Sequence, residues 1–129
     1  MKFIIKKQLK TNNKKKRVLI LGLSFKENVN DIRNSKALEI IDLLRRDFEL
    51  QISDPLVKKF QIDKKYQNLF INKFSKNYYD AVVMVVPHKQ YLNKNFQKKI
   101  KNIKKQKFLF FDIKNIIEHK FFEKELIKF

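Results

Sequence analysis

Phe25, Lys26, Asp31 and Arg33 lie in one polar stretch, GLSFKENVNDIRNSK (22–36), which also holds the chain's only glycine, Gly22. Lys26 and Arg33 are cations placed just before a helix-like run. A helix N-terminus adds free backbone N–H groups and a positive dipole end, so this combination suits an anion such as a phosphate. Phe25 can offer a flat face to a base or sugar, or pack into a core. Asp31 can orient Arg33, or serve as an acid favoured at a helix entry. His88 follows a second apolar run and can hydrogen-bond a ligand or act structurally. No nucleophile is paired with a base in the manner of a triad. The glycine fingerprint of a self-sufficient dinucleotide site is missing, because Gly22 stands alone.

These residues need strands and helices to carry them. RVLIL (17–21) is apolar nearly throughout, as a strand buried on both faces should be. Asn34 and Ser35 are good N-caps, and Ala37, Ile40, Ile41, Leu44 and Phe48 recur at helical spacing behind them. ELQIS alternates like a strand and ends at Asp54–Pro55. NLFI (68–71) fits a short edge strand. Ala81–Val86 is the clearest strand and is closed by Pro87. Leu92, Phe96, Ile100 and Ile103 form a helical stripe, Phe108–Phe111 a buried strand, and FFEKELIKF a closing helix-like piece. An opening helix, from Phe3, runs into a polar connector.

Strands alternating with helices predict an α/β fold. We expect a Rossmann-like sandwich of about five parallel strands, in the order 3-2-1-4-5, with helices on both faces. In such sheets ligands sit at the carboxyl ends of the strands, where the winding reverses. There the loops 22–34 and 87–91 should face one another.

A chain of 129 residues with 43% hydrophobic residues suits one domain with one core. Cysteine is absent, which excludes disulfides, thiolate metal sites and cysteine nucleophiles. With His88 and His119 as the two histidines, no metal site is expected. No apolar run approaches the ~18 residues that span a bilayer, so no membrane partner is expected and the cytoplasm is the default compartment. The net charge of +18 draws polyanions and raises one alternative, a basic nucleic-acid-binding or interaction module on the same scaffold. Most of this charge is lysine spread along the whole chain, whereas arginine is preferred for bidentate phosphate and base contacts. That argues against a dedicated nucleic-acid role.

The segment VLILGLSFKENVNDIRNSKALEIIDLL resembles the start of the C-terminal, UDP-binding domain of the UDP-glucose/GDP-mannose dehydrogenase family. The family pattern G-L-x-F-K, then D-x-R-x-S, is present at Gly22, Leu23, Phe25, Lys26, Asp31, Arg33 and Ser35. ISDPLV, YDAVVMVVPHKQY and FFDIKNII resemble later family segments in the same order. The H-K-Q-Y loop is more like members acting on UDP-N-acetylhexosamines.

The resemblance implies an oxidoreductase part that binds a UDP-sugar, within an NAD-dependent 6-dehydrogenase of polysaccharide biosynthesis. It implies substrate contacts from Phe25, Lys26 and His88. Lys114 would contribute another, where glucose-oxidising members often carry Arg. Arg33 would reach toward NAD, held mainly by a missing N-terminal domain. Residues 1–14 would be the remnant of a preceding connecting helix, and 15–129 the domain itself. The resemblance further implies a split or truncated part, inactive alone without the NAD-binding and cysteine-bearing domains. A separate polypeptide carrying those domains would be its partner.

Overall fold

The computed structural model describes residues 2–9, 14–117 and 125–129. His119 and most of the closing helix-like segment fall outside them. Among the described residues five strands form one sheet: β1 (Arg17–Leu21), β2 (Glu49–Ser53), β3 (Tyr79–Met84), β4 (Lys104–Asp112) and β5 (Leu126–Lys128). Their spatial order is β2-β1-β3-β4-β5, and every pairing is parallel. The described residues also form the α-helices α1 (Lys2–Gln8), α2 (Lys36–Leu44), α3 (Lys64–Gln67) and α4 (Lys94–Ile103).

Side chains alternate along a strand, so β1 serves two cores. Val18 and Ile20 belong to a cluster with Ile5 of α1 and with Ala37, Ile41 and Leu44 of α2. Leu19 and Leu21 belong to a second cluster with Phe96, Ile100 and Ile103 of α4. This two-sided burial is why RVLIL reads as a continuous apolar run. Helix α2 starts where Ser35 Oγ accepts the Ala37 N–H at 3.2 Å, and α4 starts where Asn93 Oδ1 accepts the Phe96 N–H at 2.9 Å. Both match the capping preference of short polar side chains.

The α/β class, the parallel sheet and the central β1–β3 pair agree with the sequence reading, but two elements differ. Asn68–Ile71 contributes only an isolated bridge, Ile52 to Phe70, on the outer side of β2. Two backbone bonds hold it, Ile52 N–H to Leu69 O and Ile71 N–H to Ile52 O, both 2.9 Å. Leu126–Lys128, expected as helix, is instead a strand on the free edge of β4, opposite Phe110–Asp112. A sheet edge offers unpaired N–H and C=O groups, and that offer overrides a weak helical pattern. The expected order 3-2-1-4-5 therefore loses its third strand and gains one at the far end. Among the described residues no helix is long and apolar enough to cross a membrane.

The turns use an uncommon residue choice. Gly22 has φ +92°, and the other described residues with positive φ are all asparagine: Asn28, Asn34, Asn77 and Asn115. Asparagine tolerates the left-handed region better than other residues with a side chain. Gly22 could not be exchanged in this way. A Cβ on it would lie 2.7 Å from the Cβ, N and O of Val86, where the chain leaving β1 crosses the chain leaving β3.

Candidate functional site

β1 and β3 are adjacent, with Leu21 opposite Met84, so their carboxyl ends are flush and the loops that follow start side by side. β2 ends level with them, with Ser53 opposite Leu21. Asp54, the first residue past β2, and His88, in the loop after β3, meet beneath the 22–34 loop. Neither side chain is exposed to solvent.

Asp54 Oδ2 accepts the Leu23 N–H at 2.7 Å and the Ser24 N–H at 3.3 Å, and Oδ1 accepts the Leu56 N–H at 2.8 Å. The same Oδ2 lies 2.8 Å from His88 Nε2. On the other side of the ring, the Asn28 backbone N–H donates to His88 Nδ1 at 2.9 Å. An amide can only donate, so Nδ1 carries the lone pair and the ring proton sits on Nε2, directed at the carboxylate. Asn28 Oδ1 in turn accepts the Lys89 N–H at 2.9 Å. Burial pushes Asp54 up, but the His88 hydrogen bond and the Leu23 and Leu56 N–H groups outweigh it, and its carboxyl sits below the usual 3.8. Both ring nitrogens of His88 are occupied, so its role in this geometry is to fix the loop.

The loop presents its remaining polar groups outward. The Phe25 N–H donates to Asp31 O at 2.8 Å, which folds the loop back on itself. Phe25 is 46% exposed, too open to be core. The Lys26 ammonium stands 5.5 Å from the centroid of the Phe25 ring, so a flat apolar face and a cation lie side by side. Arg33 is turned onto Asp31. Its Nε donates at 3.0 and 3.2 Å and its Nη2 at 2.7 Å, while its own backbone N–H reaches the same carboxylate at 2.9 Å.

Lys114 is exposed in the turn after β4, two strands away from β1. Nearby, Asp112 is fully buried, and its Oδ2 accepts the Ile117 N–H at 2.6 Å. The structure thus joins the 22–34 loop to His88 directly and places Lys114 on the same edge of the sheet but apart from them. Asp54 and Asn28 were missed by sequence reasoning, Asp54 having been read as a strand terminator. The available signal was an acid and a histidine at the carboxyl ends of the two strands that flank β1.

The hydrogen bonds from Arg33 hold the Asp31 carboxyl down to about 2, against an ordinary 3.8. A carbon-detected NMR titration should therefore show Asp31 changing near pH 2. In Arg33→Ala the midpoint should return toward the ordinary value. A midpoint unchanged between the two proteins would mean that the pair does not persist in solution.

A family model described as the UDP binding domain of UDP-glucose/GDP-mannose dehydrogenases matches residues 19–119. The UDP-N-acetyl-D-glucosamine 6-dehydrogenase of Salmonella typhi is 30% identical over 101 residues, covering 78% of this chain and 24% of the relative. The UDP-N-acetyl-D-mannosamine dehydrogenase of Methanococcus aeolicus is 35% identical over 114 residues, covering 84% of this chain and 24% of the relative. Among solved structures, the UDP-D-ManNAc dehydrogenase of Pyrococcus horikoshii superposes with a TM-score of 0.70 at 20% identity, over 98% of this chain and 28% of that one. At that identity the superposition speaks for the fold alone. The chain spans about a quarter of the length of the curated relatives it matches.

Proposed function

Because the chain belongs to the UDP-glucose/GDP-mannose dehydrogenase family, over the family's UDP binding domain, we propose that it binds the nucleotide part of a UDP-sugar. The observation that carries this reading is the loop itself. Asp54, His88 and Asn28 pin residues 22–28 from below, and Phe25 and Lys26 are left outward as a flat face beside a cation. The ring would lie against the base or sugar, and the ammonium against the diphosphate. The Asp54–His88 pair then acts as a positioning device, holding the loop before ligand arrives. Lys114, on the same edge, would meet the far end of a ligand lying across the strand ends.

The proposed whole is an NAD-dependent UDP-sugar 6-dehydrogenase of polysaccharide biosynthesis, acting in the cytoplasm. By the names of the relatives, its substrate would be an N-acetylhexosamine nucleotide. This chain's own residues do not fit a dinucleotide cradle. Gly22 lies against Val86, so no glycine is left bare for a pyrophosphate to approach. NAD would therefore rest mainly on a separate polypeptide, with Arg33, exposed and oriented by Asp31, reaching toward it. The alternative of a basic nucleic-acid module rested on net charge and on no placed residue, and it is the weaker reading.

Calorimetric titration of UDP into the chain tests the proposal. Lys26→Ala should weaken binding by ~1–3 kcal/mol, typical for a lost charge-assisted hydrogen bond. Arg33→Ala should change it little, since its expected partner is the cofactor. Equal losses from the two variants, or none from Lys26→Ala, would overturn these roles.

A further inference from the structure

Asn28 ties the tip of the 22–34 loop to the loop after β3 twice. Its backbone N–H donates to His88 Nδ1 at 2.9 Å, and its side-chain Oδ1 accepts the Lys89 N–H at 2.9 Å. It does so at φ 62°, a region sparsely used by residues with a side chain. The loop is anchored separately on either side. Asp54 takes the Leu23 and Ser24 N–H groups, and Gln61 Nε2 donates to Asn30 O at 3.2 Å. Residues 25–29, which include Phe25 and Lys26, run between these anchors.

The His88 ring accepts at Nδ1 and donates at Nε2, and only a neutral imidazole does both. A second proton would go to Nδ1. The Asn28 N–H cannot accept, so two donors would then face each other across 2.9 Å. Turning the ring over gives no relief, because both nitrogens of an imidazolium donate. Asp54 acts in the opposite sense: its carboxylate, 2.8 Å from Nε2, stabilises a charged ring. One neighbour thus favours the proton while the other excludes it as long as the loop is closed. Among the described residues, Ser24 Oγ lies 3.3 Å from Nε2 and the Tyr91 ring centroid 5.7 Å from that of His88. Lys26 and Glu27 on the loop and Lys89 beside His88 are exposed, and Arg33 is paired with Asp31. Beyond Asp54, Lys58, Lys59 and Lys99 are exposed around a cavity that Asp54 and Tyr91 line. Those cations oppose a charged ring and are screened by water. Asp54 is the charge that acts on the ring at contact distance.

We propose that His88 is a proton-operated latch on the 22–34 loop. With the ring neutral the loop is closed; a proton taken up at Nδ1 expels the Asn28 N–H and frees residues 25–29. Asn28 is exposed, so water replaces it as the partner of Nδ1–H. The Nε2–H bond to Asp54 survives, and Leu23 and Ser24 stay on the same carboxylate. Release is therefore confined to the tip, and the sheet beneath is undisturbed. The tip carries Phe25 and Lys26. Resting on the reading of this loop as the nucleotide site, the latch makes binding sensitive to pH. Only the closed loop presents the ring and the ammonium in place, so affinity falls with the closed fraction.

Imidazole 15N spectra and amide spectra of the full chain, taken from about pH 8 to about pH 5, test the latch without ligand. His119→Gln leaves one imidazole in the chain and so assigns its signals. At the alkaline end the His88 ring should carry its proton on Nε2 alone. As Nδ1 takes up the second proton, the Asn28 and Lys89 amides should shift with the same midpoint. The Asn28 amide should then lose its protection from exchange, while the Leu23 amide keeps its own. UDP-N-acetylglucosamine, whose diphosphate is esterified at both ends and does not titrate in this range, reads the effect on binding by calorimetry. It should bind about tenfold more weakly one pH unit below the midpoint. The inference is overturned by an Nδ1–H tautomer at the alkaline end or by a ring that stays neutral to the acid end. It is equally overturned by protonation that leaves the Asn28 amide unmoved, or by an affinity that ignores the Asn28 transition. If the nucleotide sugar binds at no pH, the reading of the loop as its site fails, and the ligand-free spectra still decide the latch.

Discussion

Gly22→Ala should cost roughly 3–5 kcal/mol of folding stability, the largest loss we expect from any single methyl group in this chain. Two effects add. At φ +92° an L-residue is strained wherever it sits. The new Cβ would also come within 2.7 Å of Val86 N and O, and that backbone is tied by the β1–β3 crossing. The Val86 N–H reaches Leu21 O at 3.5 Å and the Val85 N–H reaches it at 2.9 Å, so moving Val86 disturbs the strand ends as well. Urea unfolding read by circular dichroism would measure the loss. A drop below about 1 kcal/mol would mean that the two loops part easily, and the site would then be far softer than the geometry implies.

Removing the imidazole beneath the loop should have the second largest effect. In His88→Ala the buried Asp54 loses a hydrogen bond to its charged form, the Asn28 N–H loses its acceptor, and a cavity opens. Together these should cost roughly 2–4 kcal/mol. The pH dependence gives a second readout. The Asp54 carboxyl sits below 3.8 in the folded protein, so its contribution is fully present above that value and is lost as pH falls through the folded pKa. Without His88, burial is opposed by fewer hydrogen bonds, so the Asp54 pKa rises. The stability lost in His88→Ala should then be largest near neutral pH and shrink as pH falls through the range in which Asp54 protonates. A difference between the two proteins that stays the same at every pH would mean that the pair does not govern Asp54.

Both effects concern residues that the sequence marked unequally. Gly22 was conspicuous as a lone glycine after an apolar run, but composition could not say whether it faced a phosphate or another strand. The answer depends on Val86, which is far away in sequence and comes close only when β1 and β3 pair. His88 was legible as a residue at a strand end, and its use was not. A hydrogen-bonding group reads the same in sequence whether its partner is a ligand or a buried carboxylate. For Phe25 and Lys26 it is the exposure that was legible: a loop that must project between two strand ends turns its tip outward whatever lies below.

The fold was legible where burial is two-sided. RVLIL and the apolar run after Tyr79 need no context to be recognised as strands. LIK (126–128) does need it, because what makes it a strand is the edge of β4, and a sequence pattern does not record a neighbour's unpaired amides. NLFI failed in the opposite sense. Its composition suits a strand, but only one bridge forms before the chain turns away.

The four left-handed asparagines shift some of the fold's stability into the denatured ensemble. Glycine is the residue that loses most freedom on folding, and exchanging it for another type at a compatible site typically recovers about 0.4–1 kcal/mol through the unfolded chain alone. This chain retains glycine at Gly22, where a side chain cannot fit, and sets asparagine at 28, 34, 77 and 115, where one can. At Asn28 the exchange also supplies an oxygen to the clamp, through Lys89. The unfolded chain is accordingly stiffer than that of a glycine-rich α/β domain. It has less entropy to surrender, and that offsets part of the local strain its turns carry.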